Sequence, residues 1–410
     1  MKRIFLFIYI SLSILNLNAQ KISISDSATI SLITCSPGEE AYSKFGHTAI
    51  RIKDPSKGVD VVFNYGIFSF ETENFYYKFI KGETDYQLGV YETGFFLPEY
   101  AARNSMVWEQ VINLTPSEKR SLINNLLTNY EPQNRIYRYN FIFDNCSTRP
   151  RDKIISAING YIKFQPVNES NTFRQWIGVY VGTDTWLKLG IDVIFGMDAD
   201  KTATQNESMF LPEVLMSDFQ NAEIYTFEGQ SRKLVVQKPN ILVEKKEVRE
   251  PTSSWLLKPM TISLFLLLVG IIITLWDIKR KLHFKLFDTV ILIITGLGGL
   301  IAFYLMFFSA HPLVRFNLNL LWLNPLNLVV AVLIWIKHLR KVVFLYEILN
   351  IVLLVGALVA FALSIQIFNM ATFPIIVLLL IRSAHWFSRA KRRIFHNNEF
   401  KLDKKFFQEK

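Results

Sequence analysis

Residues 45–51 read Phe-Gly-His-Thr-Ala-Ile-Arg, and residues 139–151 read Tyr-Asn-Phe-Ile-Phe-Asp-Asn-Cys-Ser-Thr-Arg-Pro-Arg. His47 is the only histidine before the apolar C-terminal half, and Cys146 is one of two cysteines in the chain. A histidine that opens an apolar strand and a cysteine in a turn before a helix can form a thiol nucleophile and its base. The two stretches therefore predict an α+β domain that carries a thiol–imidazole site.

Alternation of apolar and polar residues predicts strands at residues 28–34, 48–53 and 59–68. The turn sequence Asp-Pro-Ser-Lys-Gly at 54–58 joins the second strand to the third, so His47 opens a hairpin. Asn64 or Tyr65 would lie opposite His47, and Asn64 is our candidate for the polar group that orients the imidazole. The alternative for Asn64 is an ordinary polar residue at a strand end.

Cys146 precedes a predicted helix that begins near Ser147 and continues to Ile158. At a helix N-terminus the dipole and the free N–H groups stabilise a thiolate. The alternative is a Cys35–Cys146 disulfide, because the count is two and the compartment is oxidising. The neighbours that we predict to bind substrate near Cys146 are Asp144, Asn145, Arg149 and Arg151.

The charge of the chain is distributed unevenly along its 410 residues. The net charge of +10 combines −4 over residues 20–256 with +12 over residues 257–410 and +2 at the N-terminal tip. The basic excess thus belongs to the apolar half, while the N-terminal half is slightly acidic. A nucleic-acid-binding protein would carry a basic stripe on its soluble domain, so this distribution argues against a nucleic-acid partner.

The first 19 residues resemble a secretory signal peptide. Lys2 and Arg3 precede an apolar run, and Ala19 offers a cleavage edge before Gln20. An uncleaved membrane anchor is the alternative, and both interpretations export the domain at residues 20–250.

A linker at 251–258 leads to an apolar half at 259–387. Its apolar segments lie near residues 259–276, 288–308, 318–336, 343–365 and 371–387. Each approaches the roughly 20 residues that cross a hydrocarbon core, although Pro325 and Pro374 interrupt the third and the fifth. The sequence therefore predicts an all-α transmembrane bundle of about five helices.

Basic residues alternate between the loops of this bundle. The first loop, the third loop and the tail at 388–410 are basic, whereas the two other loops carry only Arg315 and no basic residue, respectively. The positive-inside rule then puts the tail in the cytoplasm and the exported domain on the outer side.

The second loop is the only polar outer loop of the apolar half, and it faces the exported domain. His311, Arg315 and Asn317 could bind a lipid head group there, and an interfacial loop beside Trp322 is the alternative. The exported domain contains neither HExxH nor CxxC, so the sequence predicts no metal site and no cofactor.

Several stretches resemble the periplasmic domain of the Lnb-type lipoprotein N-acyltransferases. They are residues 35–51 (Cys-Ser-Pro-Gly-Glu-Glu-Ala-Tyr-Ser-Lys-Phe-Gly-His-Thr-Ala-Ile-Arg), 63–68 (Phe-Asn-Tyr-Gly-Ile-Phe), 82–86 (Gly-Glu-Thr-Asp-Tyr) and 139–152. The stretch at 311–326 resembles the membrane half of the same family.

This resemblance implies a circularly permuted, papain-like fold of the NlpC-peptidase superfamily, in which histidine precedes cysteine as His47 precedes Cys146. It implies a multi-pass protein of the bacterial inner membrane with its N-terminal domain in the periplasm. The implied activity is N-acylation of the diacylglyceryl-cysteine of bacterial lipoproteins, with a membrane phospholipid as acyl donor. The implied partners are therefore that phospholipid, the diacylated lipoprotein and the membrane.

Two other functions remain open at the level of sequence. A membrane-tethered peptidoglycan peptidase could use the same thiol fold, although it would need only one membrane anchor and a polar cleft. A non-enzymatic scaffold would have its two cysteines in a disulfide, so counting free thiols would distinguish it.

Overall fold

The computed structural model describes residues 24–166, 170–246 and 254–406, and of residues 392–406 it describes the backbone alone. The predicted signal peptide at 1–19 and residues 251–253 of the predicted linker lie outside the described residues.

The exported domain is built on an antiparallel sheet of seven strands. The strands of this domain are β1 (Thr29–Cys35), β2 (His47–Asp54), β3 (Val59–Ile67), β4 (Asp85–Glu92), β5 (Val107–Val111), β6 (Ile136–Arg138), β7 (Tyr161–Lys163), β8 (Glu223–Tyr225), β9 (Ser231–Lys233) and β10 (Asn240–Val243). The large sheet has the order β10-β5-β1-β2-β3-β4-β6, and β7, β8 and β9 form a second, small sheet. The three predicted strands are confirmed as β1, β2 and β3, with the predicted hairpin between β2 and β3.

Helices connect these strands. They are α1 (Phe75–Lys81), α2 (Thr93–Ala102), α3 (Pro116–Tyr130), α4 (Thr148–Ala157), α5 (Phe173–Val181), α6 (Trp186–Ile194), α7 (Gln205–Ser208) and α8 (Pro212–Asn221). The predicted helix after Cys146 is confirmed as α4 to within one residue at each end. Its neighbour α3 begins with a capping box between Thr115 and Glu118, which satisfies N–H groups that the first turn leaves without partners.

Both faces of the large sheet are covered. Ile50 and Phe63 on one face pack in a cluster with Leu122 of α3 and Ile154 of α4, and all four are buried. The other face carries a smaller cluster that includes Phe96 of α2. The sheet is therefore a rigid element held from both sides, and its strand ends have fixed positions. This confirms the predicted α+β class for the exported domain.

The C-terminal part is helical. Its helices are α9 (Pro259–Arg280), α10 (Lys285–Phe308), α11 (Leu326–Leu333), α12 (Arg340–Ala362) and α13 (Thr372–Phe406). Among the described residues, four helices are long and apolar enough to cross a membrane. They correspond to the first, second, fourth and fifth predicted spans.

The third predicted span, at 318–336, is not one continuous helix, and that part of the prediction is wrong. It consists of a 3₁₀ turn at Leu318–Leu321, a break before Pro325, and α11 with 8 residues. An 8-residue helix extends only about 12 Å, far less than the hydrocarbon core. A proline lacks an N–H and cannot continue a helix through its own position, which explains the break.

The two ends of this segment nevertheless lie at opposite ends of the bundle. The N–H of Leu318 donates to Gln366 Oε1 at 2.8 Å, next to the exported domain. The carbonyl of Ile334 accepts from Lys285 Nζ at the start of α10, at 2.8 Å. The segment therefore passes from the outer end to the inner end of the bundle without a full-length helix.

The fifth predicted span also differs from the prediction, because Pro374 does not interrupt it. Pro374 lies in the first turn of α13, where no helical hydrogen bond requires its missing N–H. The helix continues to Phe406 and includes much of the predicted basic tail.

A buried ionic group connects α5 to α6 at the base of the exported domain. Arg174 Nε donates to Asp200 at 2.6 Å and Arg174 Nη1 donates to Asp192 at 3.1 Å. The Arg174 and Asp192 side chains are 2% and 3% exposed, and Lys188 also binds Asp192. Burial of these charges is tolerated because each one is paired and hydrogen-bonded.

The outer loops of the bundle bind this same ionic group. Asn369 Nδ2 donates to the Asp192 carboxylate at 2.9 Å, and Ile367 N–H donates to Asp200 at 3.1 Å. Asn319 Nδ2 donates to the Asp192 carbonyl at 3.1 Å. The exported domain is thus attached to the membrane part by buried polar contacts from two separate loops.

Removing one partner from this group should destabilise the whole protein. We expect Arg174→Met to cost about 3–5 kcal/mol, because it removes the buried cation that Asp192 and Asp200 share and leaves only Lys188 at Asp192. Thermal unfolding of the full-length protein in detergent measures the effect as a lowered Tm.

The matched control is Arg120→Met, which breaks an exposed pair with Asp26 whose side chains are 58% and 71% exposed. Such a pair contributes about 0–1 kcal/mol, so the Tm should stay near that of the wild type. Equal Tm values for the two variants would contradict the stabilising role of Arg174.

Candidate active site

His47 is the first residue of β2, and the neighbouring strand β3 determines what surrounds it. The last pair of the antiparallel register is Ile50 with Phe63. Beyond this pair β3 is irregular between Asn64 and Ile67, so the register assigns no residue directly opposite His47. The placement of Asn64 or Tyr65 opposite His47 therefore stays a prediction.

The structure still places Asn64 in contact with His47. His47 Nε2 lies 2.5 Å from Asn64 Oδ1. Because a carbonyl oxygen can only accept, Nε2 carries the proton and Nδ1 is left as the basic nitrogen. The ring of Tyr100 stacks on the imidazole with centroids 6.0 Å apart, which further fixes its plane. Asn64 thus makes the contact that its predicted orienting role requires, while a catalytic effect stays a prediction.

Cys146 is held by a turn that Asn145 organises. Asn145 Oδ1 accepts from the N–H groups of Ser147 and Thr148 at 2.8 and 2.9 Å, and Thr148 Oγ1 accepts from Asn145 N–H at 2.8 Å. This reciprocal pattern resembles that of a helix N-cap, and it holds Cys146 in the turn directly before Ser147, the N-cap of α4.

Asn145 therefore has a structural role in this site. Its Nδ2 donates to the carbonyls of Phe141 and Phe210 at 2.8 and 2.9 Å, and the residue is 3% exposed. All its side-chain hydrogen-bonding positions are occupied by the protein, so the structure leaves none for the substrate contact that the sequence predicted.

The strand end and the helix start meet around Gly66. A Cβ atom built on Gly66 would lie 3.3 Å from Cys146 Cβ and 4.0 Å from His47 Cε1. The φ angle of Gly66 is +91°, a conformation that side chains rarely adopt. The N–H of Thr48, next to His47, is also near enough to the thiol to oppose the rise of its pKa. Cys146 and His47, about a hundred residues apart in sequence, are therefore adjacent in the fold.

Burial determines the protonation of this pair. Desolvation raises the pKa of Cys146 to about 11, against the opposing effect of the Thr48 N–H. Desolvation also lowers the pKa of His47 to about 4, although the bond to Asn64 partly offsets it. At neutral pH the pair is a thiol and a neutral imidazole. The sequence predicted a thiolate stabilised by the helix, and the cost of burying the charge outweighs that effect.

The arginines near Cys146 are occupied by other partners. Arg149 makes two bonds to Asp144, at 2.5 and 2.8 Å, and stacks on Tyr137 at 3.5 Å. Arg151 donates to the Asn206 carbonyl at 2.6 Å and to Asp152 at 2.8 Å. These predicted substrate-binding residues instead hold the start of α4 in place.

The predicted loop residues lie against the exported domain. His311 Nε2 lies 2.6 Å from the Phe79 carbonyl, and Asn317 Nδ2 donates to the Val193 carbonyl at 2.8 Å. The side chain of Arg315 is exposed. Its carbonyl oxygen lies close to Gly196, and a Cβ atom built on Gly196 would be 1.8 Å from that oxygen. Of the three, Arg315 alone presents its side chain to the surroundings, and head-group binding stays a prediction.

Sequence reasoning missed Leu313, whose position decides where the site lies. Leu313 is 6% exposed and belongs to a cluster with Ile142, Phe173 and Phe210 of the exported domain. Its φ of +68° is unusual for a leucine, so the loop is held in a strained conformation by these contacts. No local pattern reveals such a contact, because its partners come from distant parts of the chain.

Cys35 is a free cysteine, as is Cys146, so the structure does not contain the disulfide that the sequence left open. Cys35 is paired with His47 in the register of β1 and β2 and is fully buried. Burial raises the pKa of its thiol well above the usual value. It is therefore a poor nucleophile.

One group of described residues could hold a metal ion, and it lies away from Cys146. Asp277, His283 and His385 place their ligand atoms within 4.8 Å of one another near the inner end of the bundle. Arg382 donates to Asp277 at 3.0 Å and already compensates that carboxylate. This group has no contact with the thiol site.

Comparison with known families matches both parts of the chain. Residues 17–178 match the model of the Lnb N-terminal periplasmic domain, and residues 251–393 match the model of the Lnb transmembrane domain. The first match contains His47, Asn64 and Cys146. No curated protein and no solved structure matches the chain.

The two cysteines should react differently in the folded protein. We expect N-ethylmaleimide to label Cys146 and to leave the buried Cys35 unlabelled. At pH 8 the Cys146 reaction should be roughly a hundredfold slower than that of an unhindered cysteine, because so little thiolate is present. Peptide mapping of the full-length protein after timed labelling measures both rates.

The labelling rate should rise about tenfold per pH unit up to pH 10, since the thiolate fraction does so below the pKa. Cys146→Ser is the control and should abolish native labelling. Faster labelling of Cys35 than of Cys146 would contradict the described site. A Cys35–Cys146 disulfide, detected after unfolding protein that had not been labelled, would contradict it as well.

Proposed function

The chain belongs to the Lnb family, and on that premise we propose that it is a lipoprotein N-acyltransferase with Cys146 as nucleophile and His47 as base. It would transfer an acyl chain from a membrane phospholipid to the α-amino group of a diacylglyceryl-cysteine. The protein is membrane-bound with a periplasmic domain, and both proposed substrates are confined to the membrane.

One observation carries this proposal. A half-buried thiol in the turn directly before α4 lies beside an imidazole whose Nε2 proton is bound by Asn64, so that Nδ1 is the available base. Nucleophile, base and orienting group are the three parts that covalent acyl transfer requires. The outer loop packs against this domain through Leu313. Leu313 lies in one apolar cluster with Ile142, which precedes the turn that carries Cys146. That contact supports a site near the membrane surface.

In the first step His47 Nδ1 accepts the thiol proton as Cys146 sulfur attacks the ester carbonyl carbon. A C–S bond forms, the ester C–O bond breaks, and His47 returns the proton to the leaving alkoxide. The products are an acyl thioester and a lysophospholipid. Because the resting pair is neutral, proton transfer accompanies the attack and no thiolate has to exist beforehand.

In the second step the α-amino group of the lipoprotein attacks the thioester. A C–N bond forms, the C–S bond breaks, and His47 transfers the amine proton to the sulfur. The backbone N–H groups of Cys146 and Thr48 both favour the charged form of the sulfur, so they are the proposed donors to the oxyanion in both steps. The two half-reactions predict ping-pong kinetics.

The variants Cys146→Ala and His47→Ala should each lose acyl transfer by at least about a thousandfold, because removing either member of such a pair disables both steps. Intact mass of a reporter lipoprotein from cells that produce each variant measures the result. We expect a loss equal to one acyl chain relative to wild type, in cells without a second N-acylating enzyme.

Unchanged Tm and membrane insertion of both variants provide the control. A fully acylated reporter in Cys146→Ala cells would refute the mechanism. Release of muropeptides by the purified wild-type protein, with no change in the reporter, would favour the peptidase alternative.

Burial of His47 also predicts the pH dependence of the first step. With a pKa of about 4, His47 remains an unprotonated base through pH 5–7, and base function is lost only as the pH falls through about 4. Lysophospholipid release in a single turnover, measured from pH 3.5 to 8, should therefore stay nearly constant above pH 5. A loss centred near 6.5, with the fold intact by circular dichroism, would contradict this expectation.

A further inference from the structure

An exposed aromatic face on α1 is not explained by the active site itself. Tyr76, Tyr77 and Phe79 on this helix are 71%, 59% and 49% exposed, and Phe70 just before it is 55% exposed. A soluble domain seldom presents so many large apolar side chains together, and such patches mark protein or membrane contacts.

The contacts of α1 indicate that this patch faces the membrane. The Lys81 carbonyl at its end accepts from Ala310 N–H at 2.8 Å, and the Phe79 carbonyl contacts His311. The α1 helix also packs directly against the α10 span. The α1 helix is therefore attached to the outer end of a membrane-spanning helix.

The lipid-facing surface of α10 continues the patch. Its outer end carries Phe307 and Phe308, which are 58% and 60% exposed. Tyrosine and other aromatic side chains are favoured at the boundary between hydrocarbon and head groups. The α1 helix thus lies at the depth where the outer leaflet begins, and lipid is the occupant that its position fits.

Aromatic rings lead from α1 to the thiol. Ring centroids are separated by 6.0 Å from Phe79 to Phe75, 5.7 Å from Phe75 to Phe68, 4.9 Å from Phe68 to Tyr86 and 4.1 Å from Tyr86 to Tyr139. Tyr139 lies beside Gly66, since a Cβ there would be 3.9 Å from its ring and 3.3 Å from Cys146 Cβ. We call these five side chains the aromatic wall.

We propose that the aromatic wall takes up one acyl chain of an outer-leaflet phospholipid and directs its ester to Cys146. Phe79 is exposed, Phe68 and Tyr139 are half-buried, and Phe75 and Tyr86 are each 7% exposed. A hydrocarbon chain that leaves the bilayer would therefore pass along the outer edges of these rings. At the end beside Gly66, Tyr139 and Cys146 approach this residue closely, which a side chain at that position would prevent. Transfer of the acyl chain to Cys146 rests on the proposed function, whereas binding of the chain along the aromatic wall does not.

Photocrosslinking tests the binding separately from catalysis. The full-length Cys146→Ala protein is placed in phosphatidylethanolamine–phosphatidylglycerol nanodiscs that contain a phospholipid with a diazirine midway along one acyl chain. After irradiation, peptide mapping should find lipid adducts in 68–81 and in the peptide that contains Tyr139. Adducts confined to the membrane-spanning helices would overturn the proposal.

Substitutions in the wall and outside it sharpen this test. Phe79→Ser changes the outermost side chain of the aromatic wall, and Tyr76→Ser changes an exposed side chain beside it on α1. Each should lower the yield of the lipid adduct at the Tyr139 peptide at least fivefold. Phe227→Ser is the matched control, since it removes an aromatic side chain that is 81% exposed in the turn between β8 and β9. Equal labelling of the Tyr139 peptide in all three variants would overturn the proposal. Labelling of that peptide by a photoreactive diacylated lipopeptide and not by the phospholipid would also overturn it.

Turnover distinguishes failure of this proposal from failure of the proposed function. With Cys146 present, Phe79→Ser should raise KM for the phospholipid about tenfold and change kcat less than twofold, because the wall binds the chain and does not touch the reacting atoms. Adducts at Tyr139 without any acyl transfer by the wild type would preserve the binding proposal and refute the acyltransferase function. Acyl transfer by the wild type without adducts at Tyr139 would preserve the acyltransferase function and refute the binding proposal.

Discussion

The buried contact between the outer loops and the exported domain is the constraint on which the rest of the structure depends. Asp192 and Asp200 bind Arg174 inside the domain and also accept bonds from Asn369 and Ile367 in the membrane part. Buried charges of this kind are costly unless every partner is present, so the two parts have one favourable arrangement. The domain is therefore held in a fixed orientation over the bundle.

That orientation gives the thiol site its chemical setting. Leu313 enters the cluster that supports the Cys146 turn, and α1 lies on the end of α10. The same burial that fixes the site removes water from Cys146 and His47 and keeps both neutral. A neutral pair suits the proposed reaction with a lipid ester, since no charged group has to be stabilised in an apolar setting before the substrate arrives.

Local patterns in the sequence predicted much of this protein. The strands around His47 and the helix after Cys146 depend on contacts between near neighbours, and all were found. The third membrane segment was predicted as a span from its apolar content although Pro325 was seen to interrupt it, and the structure shows that the interruption shortens its helix. Asn145 and Arg151 were assigned to substrate, because the sequence could not show that the protein itself uses their polar atoms.

The sequence by itself determined the two-part architecture, the topology of the apolar half and the identity of the candidate thiol and imidazole, because periodicity, charge and rare residue types are properties of the chain. Only the tertiary structure decided that Gly66 brings Cys146 to His47, that Asn64 binds Nε2, and that both groups are neutral. These features arise from strand register and burial, which join residues far apart in sequence and leave no local pattern to read.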